Sequence, residues 1–332
     1  MRLSDFDYDL PPELIAQYPL RERDQAKLLI LDRNNERIEH RFFRDIIEYL
    51  KPEELLVLNN TKVRRCRLLG QRSTGGKVDI LLLRRKDSRT FQALMKPSRL
   101  RLREKIFFHN DNGQSITGEI SGKNEIVFSD SDAESVYDRG VIPLPPYIKR
   151  FPDEEDAKFY QTVYAAEEGS IASPTAGLHF TEELLSSIRA KNTAVASVTL
   201  HVGYGTFKPV KTDDIADHVM EKEQFFIDDR NWALVQKARE EKKRIIAVGT
   251  TSCRVLETAA SGSRAGETNL FIYPGYRFTM VDALITNFHL PKTTLFILAC
   301  AFAGEKLLRK AYAEAIERKY RFYSYGDAMM II

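Results

Sequence analysis

The segment ITNFHLPKTTLFILACAFAG, Ile285 to Gly304, sets Asn287 and His289 directly before the most apolar run of the chain. An amide beside an imidazole can orient a ligand and move a proton near neutral pH, provided the apolar segment behind them holds both still. The same histidine satisfied by a backbone carbonyl would do no chemistry. In SPTAGLHF, His179 stands just ahead of a helix that begins near Thr181, a place for a base or donor and equally for a packing residue. AVGTTSCR, Ala247 to Arg254, combines a glycine that admits close backbone approach, the hydroxyls of Thr250, Thr251 and Ser252, and the guanidinium fork of Arg254 on the first helical turn. That set suits a carboxylate or a phosphate. It lacks the lysine and spacing of a P-loop, which argues against a nucleoside triphosphate. Gly203 to Gly205 in HVGYGTF is only a G-x-G fragment and reads as well as a plain turn.

These residues need elements to place them. TEELLSSIRAKN has Thr181 as N-cap with Leu184, Leu185 and Ile188 on one face, and AVASVTLHV alternates with period two. A helix from DDRNWALVQKAREEK follows, then a strand RIIAV, a helix from SCRVLETAA, strands in NLFIY and VDALIT, and two closing helices, with Pro291 helping to start the first. The alternation predicts an α/β fold with a mostly parallel sheet covered by helices. HVGYGTF, GTTS, YPGY and NFHLP each then follow a strand, at the edge where such sheets bind ligands. Between them, LLVLNN, CRLLGQR, KVDILLLRR, TFQALMKP, KIFFH, SITGEI and NEIVFS form a run of short strands punctuated by turns, among them 110–113, and predict a small closed β domain at about 60–145. Residues 1–59 and 146–332 would form the α/β domain, entered through the proline-rich GVIPLPPYIKRFPDEED.

The chain has 332 residues and a formal net charge of +3, but the charge is uneven: Asn60 to Lys105 holds 15 Lys or Arg against three acidic residues. Such a stretch is either a solvated face or a nucleic-acid footprint. Three widely spaced cysteines suggest neither disulfides nor zinc, and the six histidines form no metal-binding pair, so no metal is expected. MRLSDFDYDLPPEL carries no apolar h-region, and Leu295 to Ala303 is too short to span a bilayer, so the expectation is a cytoplasmic protein without membrane contact.

Taken together, YQTVYAAEEGSIASPTAGLHFT, TLHVGYGTFKPV, IIAVGTTSCRVLE, FIYPGYRFTMVDALITNFHLPKTTL and YRFYSYGDAMMI closely resemble the S-adenosylmethionine:tRNA ribosyltransferase-isomerase family of queuosine biosynthesis. FDYDLPPELIAQYPLRERDQAKLL and LNNTKV match too, so the resemblance covers nearly the whole chain. It implies an α/β domain with an inserted β-barrel, and a reaction in which S-adenosylmethionine donates its ribosyl group to 7-aminomethyl-7-deazaguanine at the tRNA wobble position. The product would be epoxyqueuosine, with adenine and methionine released; S-adenosylmethionine is then a consumed substrate and no cofactor is implied. Where the family commonly has His-Ser before its glutamate, this chain has Glu221-Lys222, so only Glu223 carries over.

The sulfonium acidifies the C5′ hydrogens, so a base must take one and adenine must leave with a proton. His289 and His179 are the acid/base candidates, with Asp327 as orienter or alternate base. Arg254, Thr250 and Thr251 would hold the methionine carboxylate, and Tyr276 and Phe288 would flank adenine or the flipped base. Thr175, Gly177, His201, Gly203, Gly205, Thr206, Glu223, Gly249 and Asn287 complete the implied substrate site. Arg64, Arg65, Lys96 and Arg99 are the candidate tRNA contacts, on a chain expected to act as a monomer. Rival readings are a tRNA methyltransferase, distinguished by S-adenosylhomocysteine as product, and a non-catalytic RNA-binding module.

Overall fold

The computed structural model describes residues 1–109, 115–129, 132–207 and 209–332; the turn read at 110–113 and Lys208 lie outside them. The chain divides into two compact units, one of Met1–Lys62, Pro146–Arg150 and Phe159–Ile332, the other of Val63–Pro145 and Phe151–Lys158.

The first unit is built on a nine-stranded sheet. Its order is Ala265–Thr268, Glu223–Phe226, Ala194–Leu200, Leu55–Asn59, Ile245–Val248, Ala283–Asn287, Ala328–Ile331, Lys27–Asp32 and Arg37–Phe42. The sheet is mixed rather than mostly parallel: the four pairings Ala194–Leu200 to Leu55–Asn59 to Ile245–Val248 to Ala283–Asn287, and Lys27–Asp32 to Ala328–Ile331, are parallel, and the other four are antiparallel. Apolar periodicity carries no strand direction, and the edges here are added by reversal, as where Arg37–Phe42 folds back on Lys27–Asp32.

The central strands are buried on both sides, as their nearly unbroken apolar sequences require. Leu28, Ile30, Leu56, Leu58, Ile246, Val248 and Ile285 share one core with Leu184, Leu185 and Ile188. Leu29, Leu31, Leu55, Val57, Ile245, Ala247 and Leu284 share the other with Val235, Leu256, Phe296 and Leu308. The helix Glu182–Ala190 starts as its sequence predicts, with the Thr181 hydroxyl accepting from Leu184 N at 3.1 Å. Thr293, rather than Pro291, caps Thr294–Ala303, and Gly304 at φ 83° separates that helix from Glu305–Glu317.

LLVLNN opens the run of short strands but falls within the 1–59 bound of the α/β domain, and it supplies Leu55–Asn59 at the heart of the large sheet. One strand expectation changes. NLFIY is not a strand: pairing stops at Thr268, and Leu270, Phe271 and Ile272 run on irregularly to wall a cleft, which accounts for their apolar character.

The second unit is a closed antiparallel barrel of six strands: Arg67–Arg72, Lys77–Arg85, Thr90–Lys96, Lys105–His109, Ser115–Gly122 and Glu125–Phe128. Val78, Ile80, Leu82, Phe91, Ile106, Phe108, Ile120, Ile126 and Phe128 are all buried, the alternation a small barrel needs. Gly70 and Gly118 make room for them, since a Cβ at Gly70 would lie 2.6 Å from the Phe108 ring and one at Gly118 2.5 Å from Ile126.

Candidate active site

Because Ala194–Leu200, Leu55–Asn59, Ile245–Val248 and Ala283–Asn287 are parallel neighbours, their carboxyl ends share one rim. Asn59, fully buried, ties that rim together. Its amide donates to Leu200 O and Thr251 Oγ1, each at 3.1 Å, and its carbonyl oxygen accepts from Leu200 N at 3.1 Å. Gly249, at φ 88°, turns the strand straight into the helix Gly249–Ala259, which has no side-chain cap. The free amides of that first turn and the positive end of the helix dipole therefore belong to the ligand edge.

A cleft of about 660 Å³ opens there, and its walls include Ser173, Thr175, Thr206, Gly249, Thr250, Thr251, Arg254, Asn287 and His289. Its size is that of a small-molecule site. Arg254 is only 5% exposed and pairs with Glu223, while its Nε donates to Leu270 O at 3.0 Å. Glu223 accepts in turn from Gly203 N at 2.9 Å, which fixes the loop after Ala194–Leu200. Among the described residues Arg254 Nη2 has no partner, and neither has the hydroxyl of Ser173, 6% exposed. Both residues line the cleft, so two polar groups there are open to a polar ligand or to water.

Asn287 and His289 do different work. Thr175 Oγ1 donates to Asn287 Oδ1 at 2.8 Å, which turns the amide nitrogen toward His179 Nε2, 3.2 Å away. His179 must then accept, so it carries its proton on Nδ1 and cannot be protonated without breaking that bond. His289 is pinned through its backbone, whose carbonyl accepts from Tyr8 and whose amide donates to the Tyr312 hydroxyl, and its Nε2 meets Thr286 Oγ1 at 2.7 Å. Burial is the main cause that pushes both imidazoles down to about 3, with the Arg321 charge adding to the effect at His179. Both are neutral at physiological pH, and the burial that disfavours the cation also makes each a weaker base than a free imidazole.

Several predicted site residues lie elsewhere. His179 faces a separate groove with Arg23 and Arg321 and reaches the cleft only through Asn287. Asp327 accepts from Lys27 N at 3.0 Å and Arg321 N at 2.7 Å; its carboxylate clamps a loop and does not line the cleft. Phe288 is fully buried among Tyr312, Tyr320 and Phe322 and cannot flank a base without unpacking. Tyr276 donates to Glu257 at 3.2 Å, away from the cleft walls. His201 binds Thr61 Oγ1 at 2.8 Å, and Gly177 is needed because a Cβ there would sit 1.9 Å from the Tyr164 hydroxyl. Gly205 borders another hollow, with Glu221 and Glu223. On the barrel, Arg65, Lys96 and Arg99 are exposed, whereas half-buried Arg64 stacks its guanidinium 4.9 Å from the Tyr137 ring centroid. Sequence reading missed Asn59, Ser173 and the wall at Leu270 to Ile272; an amide ending an apolar strand run was the available signal for Asn59.

Among the described residues no group of three or more His, Cys, Asp or Glu is placed to hold a metal ion, and no helix is long and apolar enough to cross a membrane.

The depressed histidines give a signed pH dependence. Between about 3 and the unfolded value near 6.5 the unfolded chain binds protons that the folded chain refuses, so their stability contribution is complete above pH 6.5 and is lost as pH falls through that window. The expected loss from pH 7.5 to 5.5 is on the order of 1 kcal/mol per histidine. Urea denaturation at both pH values should show His289→Gln less acid-sensitive than the parent by that amount; equal sensitivity would contradict a neutral buried His289.

The family described as "Queuosine biosynthesis protein" matches residues 3–331. The chain is 49% identical over 336 residues, covering 100% of both sequences, to the S-adenosylmethionine:tRNA ribosyltransferase-isomerase of Sulfurihydrogenibium sp. (strain YO3AOP1). It is 47% identical over 337 residues, 99% of this chain and 98% of the other, to the protein of that name from Coxiella burnetii (strain RSA 331 / Henzerling II). The crystal structure of S-adenosylmethionine tRNA ribosyltransferase from Thermotoga maritima superposes with a TM-score of 0.57 at 35% identity, covering 99% of this chain and 100% of that one. With an uncapped helix start, a buried arginine and a neutral imidazole on one strand rim, and a family match that runs almost from end to end, this chain belongs to the queuosine biosynthesis protein family.

Proposed function

We propose that the chain is an S-adenosylmethionine:tRNA ribosyltransferase-isomerase that transfers and isomerises the ribosyl group of S-adenosylmethionine onto 7-aminomethyl-7-deazaguanine at the wobble position of tRNA. The product is epoxyqueuosine, and adenine and methionine leave. S-adenosylmethionine is consumed, and the reaction uses no separate cofactor or metal. The observation that carries this reading is the cleft that joins an unpartnered Arg254 Nη2 to the Asn287 and His289 pair across one rim.

The α-carboxylate of methionine sits at Arg254 and the amides of Gly249, Thr250 and Thr251, where the helix dipole favours negative charge. Arg254 is already paired with Glu223, so a bound carboxylate brings one further negative charge, which the helix start at Gly249 and the α-ammonium and sulfonium of the ligand itself offset. His289 lines the cleft and accepts the proton from C5′, its basicity restored when the carbanion-stabilising ligand fills the cleft, and Asn287, held by Thr175, orients the sugar. His179 is a positioning residue that acts through Asn287. Apolar Leu270, Phe271, Ile272 and Leu298 keep water from the sulfonium. The barrel is the tRNA-contacting module, its phosphates met by Arg65, Lys96 and Arg99, on a chain that works as a cytoplasmic monomer.

Incubation with S-adenosylmethionine and tRNA carrying the aminomethyl-deazaguanine, followed by nucleoside mass analysis, should yield the epoxycyclopentane adduct with free adenine and methionine. S-adenosylhomocysteine in their place would reject ribosyl transfer for methylation. Replacing Arg65, Lys96 and Arg99 together by alanine should flatten the slope of log K for tRNA against log salt by about 2 to 3, at roughly 0.9 per phosphate, with affinity for S-adenosylmethionine unchanged. An unchanged slope would remove the barrel as docking surface.

A further inference from the structure

Beside the Arg254 cleft lies a second chamber of about 320 Å³, which shares Ser173, Thr175, Thr206, Asn287 and His289 with it and adds Tyr147, Tyr160, Tyr323 and Ser324. Among the described residues no charged side chain lines it. The proposed proton transfers do not use its tyrosines.

Tyr323 is the unusual member. Its φ is 72°, in the left-handed region that a bulky side chain rarely occupies, and such strain persists only where the surroundings impose it. They do so here. Tyr323 N donates to Phe288 O at 2.9 Å, Gly326 N donates to Tyr323 O at 2.9 Å, and Asp327 grips Arg321 N and Lys27 N. Gly326 is required, since a Cβ would lie 2.5 Å from Arg321 O. The loop thus spends its bonds on presenting one ring. That ring meets Tyr147 edge-on, with centroids 3.9 Å apart and planes at 88°, and Tyr147 is held by a hydrogen bond to Ser324. Ser173, also in the lining, is buried, and its hydroxyl has no partner among the described residues, so it offers a polar edge.

Aromatic walls beside an unpartnered hydroxyl and an amide have the chemistry of a nucleobase site: faces for stacking and an edge for hydrogen bonding. We infer that this chamber receives a planar nucleobase and that Tyr323 stacks on it. The inference rests on the proposed function, because the shared wall then places the base in one chamber, the amino-acid tail at Arg254 in the other, and the sugar between them at Asn287 and His289. Adenine of S-adenosylmethionine and a base extruded from RNA present the same face, and the experiment separates them.

The full-length chain and its Tyr323→Gly and Tyr323→Phe variants are titrated with free adenine and with S-adenosylmethionine, and KM for the modified tRNA is measured. Glycine accepts the φ of Tyr323 without strain, so Tyr323→Gly keeps the loop, as circular dichroism will verify; Tyr323→Asn replaces it should it not fold, asparagine tolerating that region best among the other residues. Loss of stacking predicts at least tenfold weaker adenine and S-adenosylmethionine binding in Tyr323→Gly, with Tyr323→Phe within threefold of the parent. A tenfold rise in KM for tRNA with unchanged adenine affinity would assign the chamber to the RNA base. Folded Tyr323→Gly within threefold of the parent in every arm would overturn the inference. A parent chain that binds adenine in a Tyr323-dependent way but does not turn over S-adenosylmethionine would sink the proposed function and leave the chamber standing.

Discussion

The rim depends on the ion pair between Arg254 and Glu223, whose side chains are 6% and 5% exposed. Withdrawing two charges from water costs several kcal/mol per ion, and only near-complete hydrogen bonding offsets it. The pair meets that condition by drawing in its neighbours: Glu223 takes the Gly203 amide, and Arg254 takes the Leu270 carbonyl. The strand Glu223–Phe226, the loop after Ala194–Leu200 and the apolar wall at Leu270 to Ile272 are thereby fixed to the helix that begins at Gly249. One donor, Nη2, is left over, and it belongs to the cleft. The pair serves the geometry of the site more than the stability of the chain.

Around it the polar groups form a chain of dependence rather than a catalytic cluster. Asn59 seats Thr251, Thr175 sets the Asn287 amide, and Asn287 sets the tautomer of His179. Aromatic hydroxyls of Tyr8 and Tyr312 hold the His289 backbone, and the Tyr323 amide donates to the carbonyl of the residue just before it. This is what the apolar run after NFHLP accomplishes: Phe288 and Phe296 anchor the segment in the core while His289, Thr294 and Leu295 between them line the cleft. In the other unit part of the basic excess is spent on Arg67 to Asp79, Arg72 to Glu104 and Lys86 to Glu125, and Arg65, Lys96 and Arg99 remain exposed.

Local order was legible in the sequence wherever a local rule decides it. Thr181 and Asp228 cap helices because their side chains reach the second or third amide that follows, and barrel strands alternate because a wall has two sides. Arg254, Thr250, Asn287 and His289, singled out because glycine, hydroxyls and imidazole cluster at strand ends, line one cleft. Strand direction was not legible, since reversing a strand leaves its periodicity intact, and the sheet proved mixed. Nor did the sequence show which strands LLVLNN pairs with, a pairing made with residues more than a hundred positions away. Phe288 and Tyr276 look like ligand aromatics by composition, but one is core and the other serves Glu257. Tyr323 stayed hidden because a strained φ is imposed by distant carbonyls and leaves no mark on its own sequence.

The central claim is that Arg254 and the helix start at Gly249 seat a carboxylate. Calorimetric titration of S-adenosylmethionine and its decarboxylated analogue, into the parent chain and into Arg254→Met made in a Glu223→Gln background so that no buried charge is left alone, isolates that one contact. The parent should prefer S-adenosylmethionine by at least tenfold, about 1.4 kcal/mol, and the double variant should bind both ligands alike. A double variant that keeps the full preference would contradict the account.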